Sequence, residues 1–128
     1  MKKQVKIMVH HLLIEIVGSV FLNDKELMEK FFTQIAEAYQ KPVLGMRVHQ
    51  FQPHGLSGLL VMPESHVAIH TWPEYQYAAL DLFLQAPLDP ETSLPWVIEY
   101  FKPQEIKVVE LERGVGENNV PLVRSRLP

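Results

Sequence analysis

Cysteine is absent from all 128 residues. Its absence excludes disulfides, thiolate metal sites and a cysteine nucleophile, and it agrees with an intracellular compartment. Cations are also in short supply, since 12 Lys and Arg against 15 Asp and Glu leave a formal charge of -3. A protein that grips a phosphate backbone needs a surplus of cations on at least one face, so nucleic acid is not an expected partner. Long hydrophobic runs are missing as well. The longest apolar stretch near the start, Leu12 to Leu22, is broken by Glu15 and falls well short of the roughly 18 to 20 residues that span a bilayer. Lys2-Lys3 ahead of it superficially matches a signal peptide, but the interruption and the lack of a small-residue cleavage site argue against one. A membrane partner is not expected, and the sequence reads as cytoplasmic.

What is present describes one soluble globular domain: 47% hydrophobic and 21% charged residues, with a mean hydropathy of -0.02. A chain of this length can bury a core without cross-links. Residues Lys6 to Val17 are rich in Ile, Val and Leu with partial alternation, which predicts a strand ending near Gly18. From Asn23 the period changes: Asn23 can cap a helix, Glu26 completes a capping box, and Leu27, Phe31, Ile35 and Ala38 recur at helical spacing over about 24 to 40. Val43 to Gln52 and Leu59 to Met62 read as a hairpin around Pro53-His54-Gly55, and Val67 to Trp72 and Tyr77 to Leu84 as two further strands. Asp89-Pro90-Glu91 suits a helix start, and Pro103 stops that helix after Phe101. Ile106 to Leu111 is the last expected strand, and the tail from Gly114 is expected to be mobile. The order strand, helix, four strands, helix, strand predicts an α+β fold: a mainly antiparallel sheet with both helices on one face, a two-layer sandwich. The other face then needs cover, which dimerisation supplies if that face is apolar.

Standard site motifs are also absent. No GxSxG elbow, GxxxxGK loop or Gly-rich cradle ahead of a lysine occurs, so neither a serine-hydrolase elbow nor pyridoxal phosphate is expected. His10-His11 reads as a half-buried strand pair. His66 and His70 have the spacing of a helical metal pair, but Val67-Ala68-Ile69 between them read as strand and no third ligand lies nearby, so no metal is expected. From the residues alone there remains a polar cluster, Ser57, Ser65, His66, His70 and Glu74, in an apolar strand region. Such clusters are more often structural than catalytic.

Three runs alter that estimate: Phe51-Gln52-Pro53-His54-Gly55-Leu56-Ser57-Gly58, then Glu64-Ser65-His66-Val67-Ala68-Ile69-His70-Thr71-Trp72-Pro73-Glu74, then Tyr77-Ala78-Ala79-Leu80-Asp81-Leu82-Phe83. Together they resemble the signature of the prokaryotic S-adenosylmethionine decarboxylase proenzymes. Weaker similarity extends through His11-Leu12-Leu13 and Val108-Val109-Glu110-Leu111-Glu112-Arg113-Gly114, covering nearly the whole chain. The resemblance implies self-cleavage between Glu64 and Ser65, into a β chain of 1–64 and an α chain of 65–128, with Ser65 becoming a pyruvoyl group. That ketone would take the substrate's α-amine as a Schiff base, replacing pyridoxal phosphate as electron sink. It further implies that His70 is the processing base, that Ser57 assists processing, and that Phe51, Val67, Trp72 and Glu74 bind the substrate, Phe51 stacking on adenine and Glu74 holding the ribose. The implied activity is decarboxylation of S-adenosylmethionine for spermidine biosynthesis, by a homodimer.

A geometric condition follows from the strand reading. Ser65 and His70 are an odd number of residues apart, so one regular strand puts them on opposite faces, about 16 Å apart along the chain. Either the chain bends sharply at Ser65, or a second subunit completes the site at the interface; the family's dimeric arrangement favours the latter.

One departure stands out. After Asp81-Leu82-Phe83 the family pattern places a cysteine that returns a proton to the substrate, and this chain has Leu84-Gln85. An amide has no proton to give at neutral pH. Three outcomes are compatible with that: S-adenosylmethionine is decarboxylated with water, His54 or a tyrosine as proton source; the pocket serves another amino acid such as ornithine or arginine; or the chain is an inactive, regulatory partner. Retention of Phe51 and Glu74 favours a nucleoside-bearing substrate.

Overall fold

The computed structural model describes residues 4–126. β1 spans Lys6–Val17, and its alternation buries Leu12, Ile14 and Ile16 at 1% exposure or less while Leu13 and Glu15 point to the other face. The first helix, α1, runs Lys25–Ala38 and buries Met28, Phe31, Phe32 and Ile35. Its cap is Asp24, whose carboxylate accepts from Leu27 N–H at 3.1 Å, rather than Asn23. Both residue types cap well, but the Asn23 amide oxygen is occupied by the Gly55 N–H at 2.9 Å.

The other elements are β2 (Gly45–Gln50), β3 (Leu56–Met62), β4 (Ser65–Trp72), β5 (Tyr77–Gln85), α2 (Leu94–Phe101, entered through a 3-10 turn at Pro90–Ser93), β6 (Glu105–Val115) and β7 (Pro121–Ser125). The strands form one sheet in the order β2-β3-β4-β5-β1-β6-β7, and every neighbouring pair is antiparallel. Both helices cover the face that carries Leu12, Leu60, Val67 and Leu82, all part of one buried cluster with Phe31, Phe32 and Phe101. The Phe31 ring ties α1 to α2 through edge contacts with Tyr100 and Phe101, at centroid distances of 5.7 and 4.8 Å. The expected two-layer α+β architecture is the one observed.

The tail is where expectation and structure part. Pro121–Ser125 forms a seventh strand against β6, fastened by Arg124 to Glu112 at 3.0 Å and Arg126 to Glu110 at 2.9 Å. As an edge strand with one partner it needs little apolar alternation, and Pro121 at its start is tolerated there, so its composition resembles a loop. Leu127, Pro128 and the Lys2-Lys3 pair lie outside the described residues.

No helix covers the second face. It mixes exposed apolar side chains, Leu59, Val61, Trp72 and Val109 at 37–42% exposure, with His11, Glu15, His66, His70 and Asp81, so it is less uniformly apolar than a buried layer. Among the described residues, no helix is long and apolar enough to cross a membrane.

Candidate active site

The β3–β4 hairpin carries most of the sequence-identified residues, and its register divides them between two ends. Ser57 pairs with His70 at one end, and Met62 pairs with Ser65 at the other.

At the first end, on the open face, the Ser57 hydroxyl and His70 Nδ1 are hydrogen-bonded at 2.7 Å, as their direct cross-strand pairing allows. The chain leading to β3 turns back over this pair. Gly55 has φ +105°, a region only glycine enters freely, and its carbonyl accepts from Phe51 N–H at 2.8 Å. Thr71 pins the start of β3, accepting from Leu56 N–H at 2.8 Å. The result is a recess of about 250 Å³ lined by Phe51, His54, Ser57, His70, Trp72 and Glu74. Inside it, His54 Nε2 lies 3.3 Å from the Glu74 carboxylate, and the Phe51 ring meets His49 edge-on at 4.6 Å. Trp72 stacks on Tyr77 at 5.5 Å. The Tyr77 hydroxyl donates to the Glu15 carboxylate, and that bond pushes the phenol up to about 12.

The second end is the hairpin tip, Pro63-Glu64. Glu64 has φ +54°, a left-handed conformation disfavoured for a residue with a Cβ. Ser65 follows at 5% exposure, on the helix-covered side. Its hydroxyl accepts from the Gln85 backbone N–H at 3.0 Å, and the Gln85 side-chain amide donates to the Glu64 carboxylate at 2.9 Å. Beside this tip, on the open face, Phe83 is surrounded by cationic or titratable groups: His66 stacked at 4.9 Å, the Arg113 guanidinium 5.5 Å from the ring centre, and His11 edge-on at 5.7 Å. Burial depresses the His11 pKa, with Arg113 and His66 adding to the effect and Asp81 opposing it.

β4 therefore runs regularly from Ser65 to Trp72 without a sharp bend, and within one chain Ser65 does not meet Ser57, His70, Phe51 or Glu74. Val67 also lies apart from the recess, fully buried beneath the helices. Larger recesses lie elsewhere, among them one of about 450 Å³ beside Phe21, Leu27, Trp96 and Tyr100 and one of about 550 Å³ at the β6–β7 turn, and these contain none of the sequence-identified residues. The pairing of His54 with Glu74 and the Phe83 cluster have no local sequence signal. Strand register sets His11 and His66 against Phe83, whereas His54 and Glu74 meet across the β2–β3 loop and the 3-10 turn Pro73–Tyr75.

A family model described as S-adenosylmethionine decarboxylase matches residues 10–114. A Methanococcus maripaludis strain C5 protein named S-adenosylmethionine decarboxylase proenzyme is 34% identical over 110 residues, 84% of this chain and 90% of that protein. One of the same name from Acetivibrio thermocellus is 39% identical over 113 residues, 86% of this chain and 91% of that protein. Among solved structures, the adenosylmethionine decarboxylase from Aquifex aeolicus is similar with a TM-score of 0.78 at 25% identity, covering 88% of this chain and 96% of its own. A Trypanosoma brucei chain described as the AdoMetDC-delta26 monomer shares the fold, with a TM-score of 0.59 at 16% identity over 80% of this chain and 45% of its own.

Proposed function

We propose, because this chain belongs to the S-adenosylmethionine decarboxylase family, that it is the proenzyme of a pyruvoyl-dependent S-adenosylmethionine decarboxylase that cuts itself between Glu64 and Ser65. The observation that carries the reading is the geometry of that bond. A serine hydroxyl fixed by a backbone donor at 3.0 Å directly follows a residue held at φ +54°. In the cleavage, Ser65 Oγ bonds to the Glu64 carbonyl carbon, the C–N bond breaks, and the hydroxyl proton passes to the nitrogen, giving an ester. Removal of the Ser65 α-proton then expels the Glu64 carboxylate and leaves dehydroalanine, which takes up water and releases ammonia to become pyruvoyl. The residues present fit this group: the precursor hydroxyl is there, and the hairpin tip tolerates a break. Fragment 1–64 contributes β1, β2 and β3, and β1 lies between β5 and β6 of fragment 65–128. The cut fragments thus stay interleaved in one sheet.

The pyruvoyl group supplies an electrophilic carbonyl for the substrate amine and an electron sink for carbon dioxide loss. The chain's own residues do the rest. With His70 Nδ1 donating to the Ser57 hydroxyl, Nε2 is left as the acceptor that takes the Ser65 α-proton while Ser57 orients the ring. Phe51 offers an aromatic face to adenine and Glu74 a carboxylate to the ribose hydroxyls, both on the recess that also holds His70. Because Ser65 and this recess are separated in one chain, the active form is a homodimer, the open sheet face supplying the interface and each site drawing on both protomers. The substrate is a small amino-acid-type molecule, and the product serves spermidine synthesis in the cytoplasm.

The test is carbon dioxide release from carboxyl-labelled S-adenosylmethionine, ornithine, arginine and lysine in parallel. Release from S-adenosylmethionine is expected. Release from a dibasic amino acid in its place, or from none, overturns the assignment; the names of the relatives favour S-adenosylmethionine over those alternatives.

A further inference from the structure

We infer that Gln85 is a positioning residue for the self-cleavage, holding the Glu64 side chain so that the Glu64–Ser65 peptide keeps the geometry the Ser65 hydroxyl attacks; the inference rests on the cleavage proposed above. N–H groups along a strand point alternately to its two neighbours. The Ala86 N–H reaches Met8 on β1 at 2.8 Å, so the Gln85 N–H faces β4. The β4–β5 pairing ends at His66 and Phe83, and beyond it the Gln85 N–H meets the Ser65 hydroxyl in place of a strand carbonyl. That contact is made by backbone and is independent of the side chain at 85. The contact from side-chain Nε2 to the Glu64 carboxylate, at 2.9 Å, depends on the residue being an amide.

One residue thus grips both partners of a single peptide bond, the nucleophilic oxygen on one side and the acyl residue on the other. The hairpin closed by Met62 and Ser65 holds Glu64 at φ +54°, and the Gln85 amide adds a tether on the Glu64 side chain that limits movement of the peptide bond it precedes. In the step concerned, the O–C bond forms, the N–C bond breaks and the hydroxyl proton moves to nitrogen, with no outside reactant. At the position where the family resemblance implies a proton donor, this chain has a hydrogen-bond donor that cannot ionise, used on the precursor.

Cleavage followed by intact mass over time tests this. Gln85→Met keeps the length and removes the donor, and Gln85→Glu sets two carboxylates together. Both are expected to slow cleavage, Gln85→Met by about tenfold as befits one hydrogen bond to a charged group. Measured on the uncut Ser65→Ala background, Gln85→Met leaves the melting temperature in place, which separates positioning from loss of fold. Glu64→Ala slows cleavage to the same extent, and adding Gln85→Met to it has no further effect, because both act through one contact. Cleavage of Gln85→Met at the parental rate, or additive effects in the double variant, overturns the inference. A parent chain that stays whole overturns instead the cleavage on which it rests.

Discussion

Ser65 and His70 occupy one strand but opposite faces of the sheet: Ser65 is at 5% exposure on the helix-covered side, and the His70 imidazole is on the open face bound to Ser57. Their pairing partners, Met62 and Ser57, stand at opposite ends of β3. No rotamer change closes a gap of about 16 Å along a strand. If His70 is the processing base, it therefore serves the Ser65 of another copy. Co-expressing Ser65→Ala with His70→Ala, each inert alone, is expected to restore cleavage of about half the His70→Ala chains, those that pair at random with a Ser65→Ala partner. Mass spectrometry distinguishes the two chains; cleavage absent from the mixture contradicts a shared site.

Replacing Gln85 by cysteine separates the two reactions. A thiol can give a proton where an amide cannot, so Gln85→Cys is expected to raise carbon dioxide release per cleaved chain. It also loses the grip on Glu64, so cleavage slows. Measuring both on the same preparation checks the split, and a change of both in the same direction counts against it.

Gly58 is a packing position. A Cβ there would lie 2.8 Å from the Phe32 ring and 3.2 Å from the Ile69 methyl, and Phe32 is fully buried. Gly58→Ala is expected to destabilise the fold by about 1–3 kcal/mol, the usual cost of overpacking a core. Denaturant titration of the uncut Ser65→Ala background reads it.

His11 predicts a pH dependence of stability. Its folded pKa lies below the ordinary 6.5, so between those values the unfolded chain binds more protons than the folded one and stability rises with pH. Stability is accordingly lost as pH falls through 6.5 toward the depressed value. His11→Gln should flatten that part of the profile in thermal melts from pH 5 to 8, taken as about the range over which an ordinary histidine titrates. An unchanged slope contradicts the assignment.

Much of the fold was legible because long periodic segments announce themselves: β1 from its Ile/Val/Leu alternation and α1 from the spacing of Leu27, Phe31 and Ile35. β7 was not, since an edge strand of Pro121, Leu122, Val123, Arg124 and Ser125 owes its place to pairing and to two Arg–Glu contacts. At the site, the odd spacing of Ser65 and His70 already set them on opposite faces. The second contact of Gln85 was invisible, because what faces residue 85 depends on where the β4–β5 ladder ends, and Val67 lay in a motif whose alternation sends it into the core.

The activity depends on one peptide bond, Glu64–Ser65, and the intact mass of the purified chain tests whether it is cut. Two species are predicted, residues 1–64 ending in a free carboxylate and residues 65–128 beginning with a ketone that blocks Edman degradation, while Ser65→Ala stays whole. A single full-length species in folded wild-type protein would contradict it.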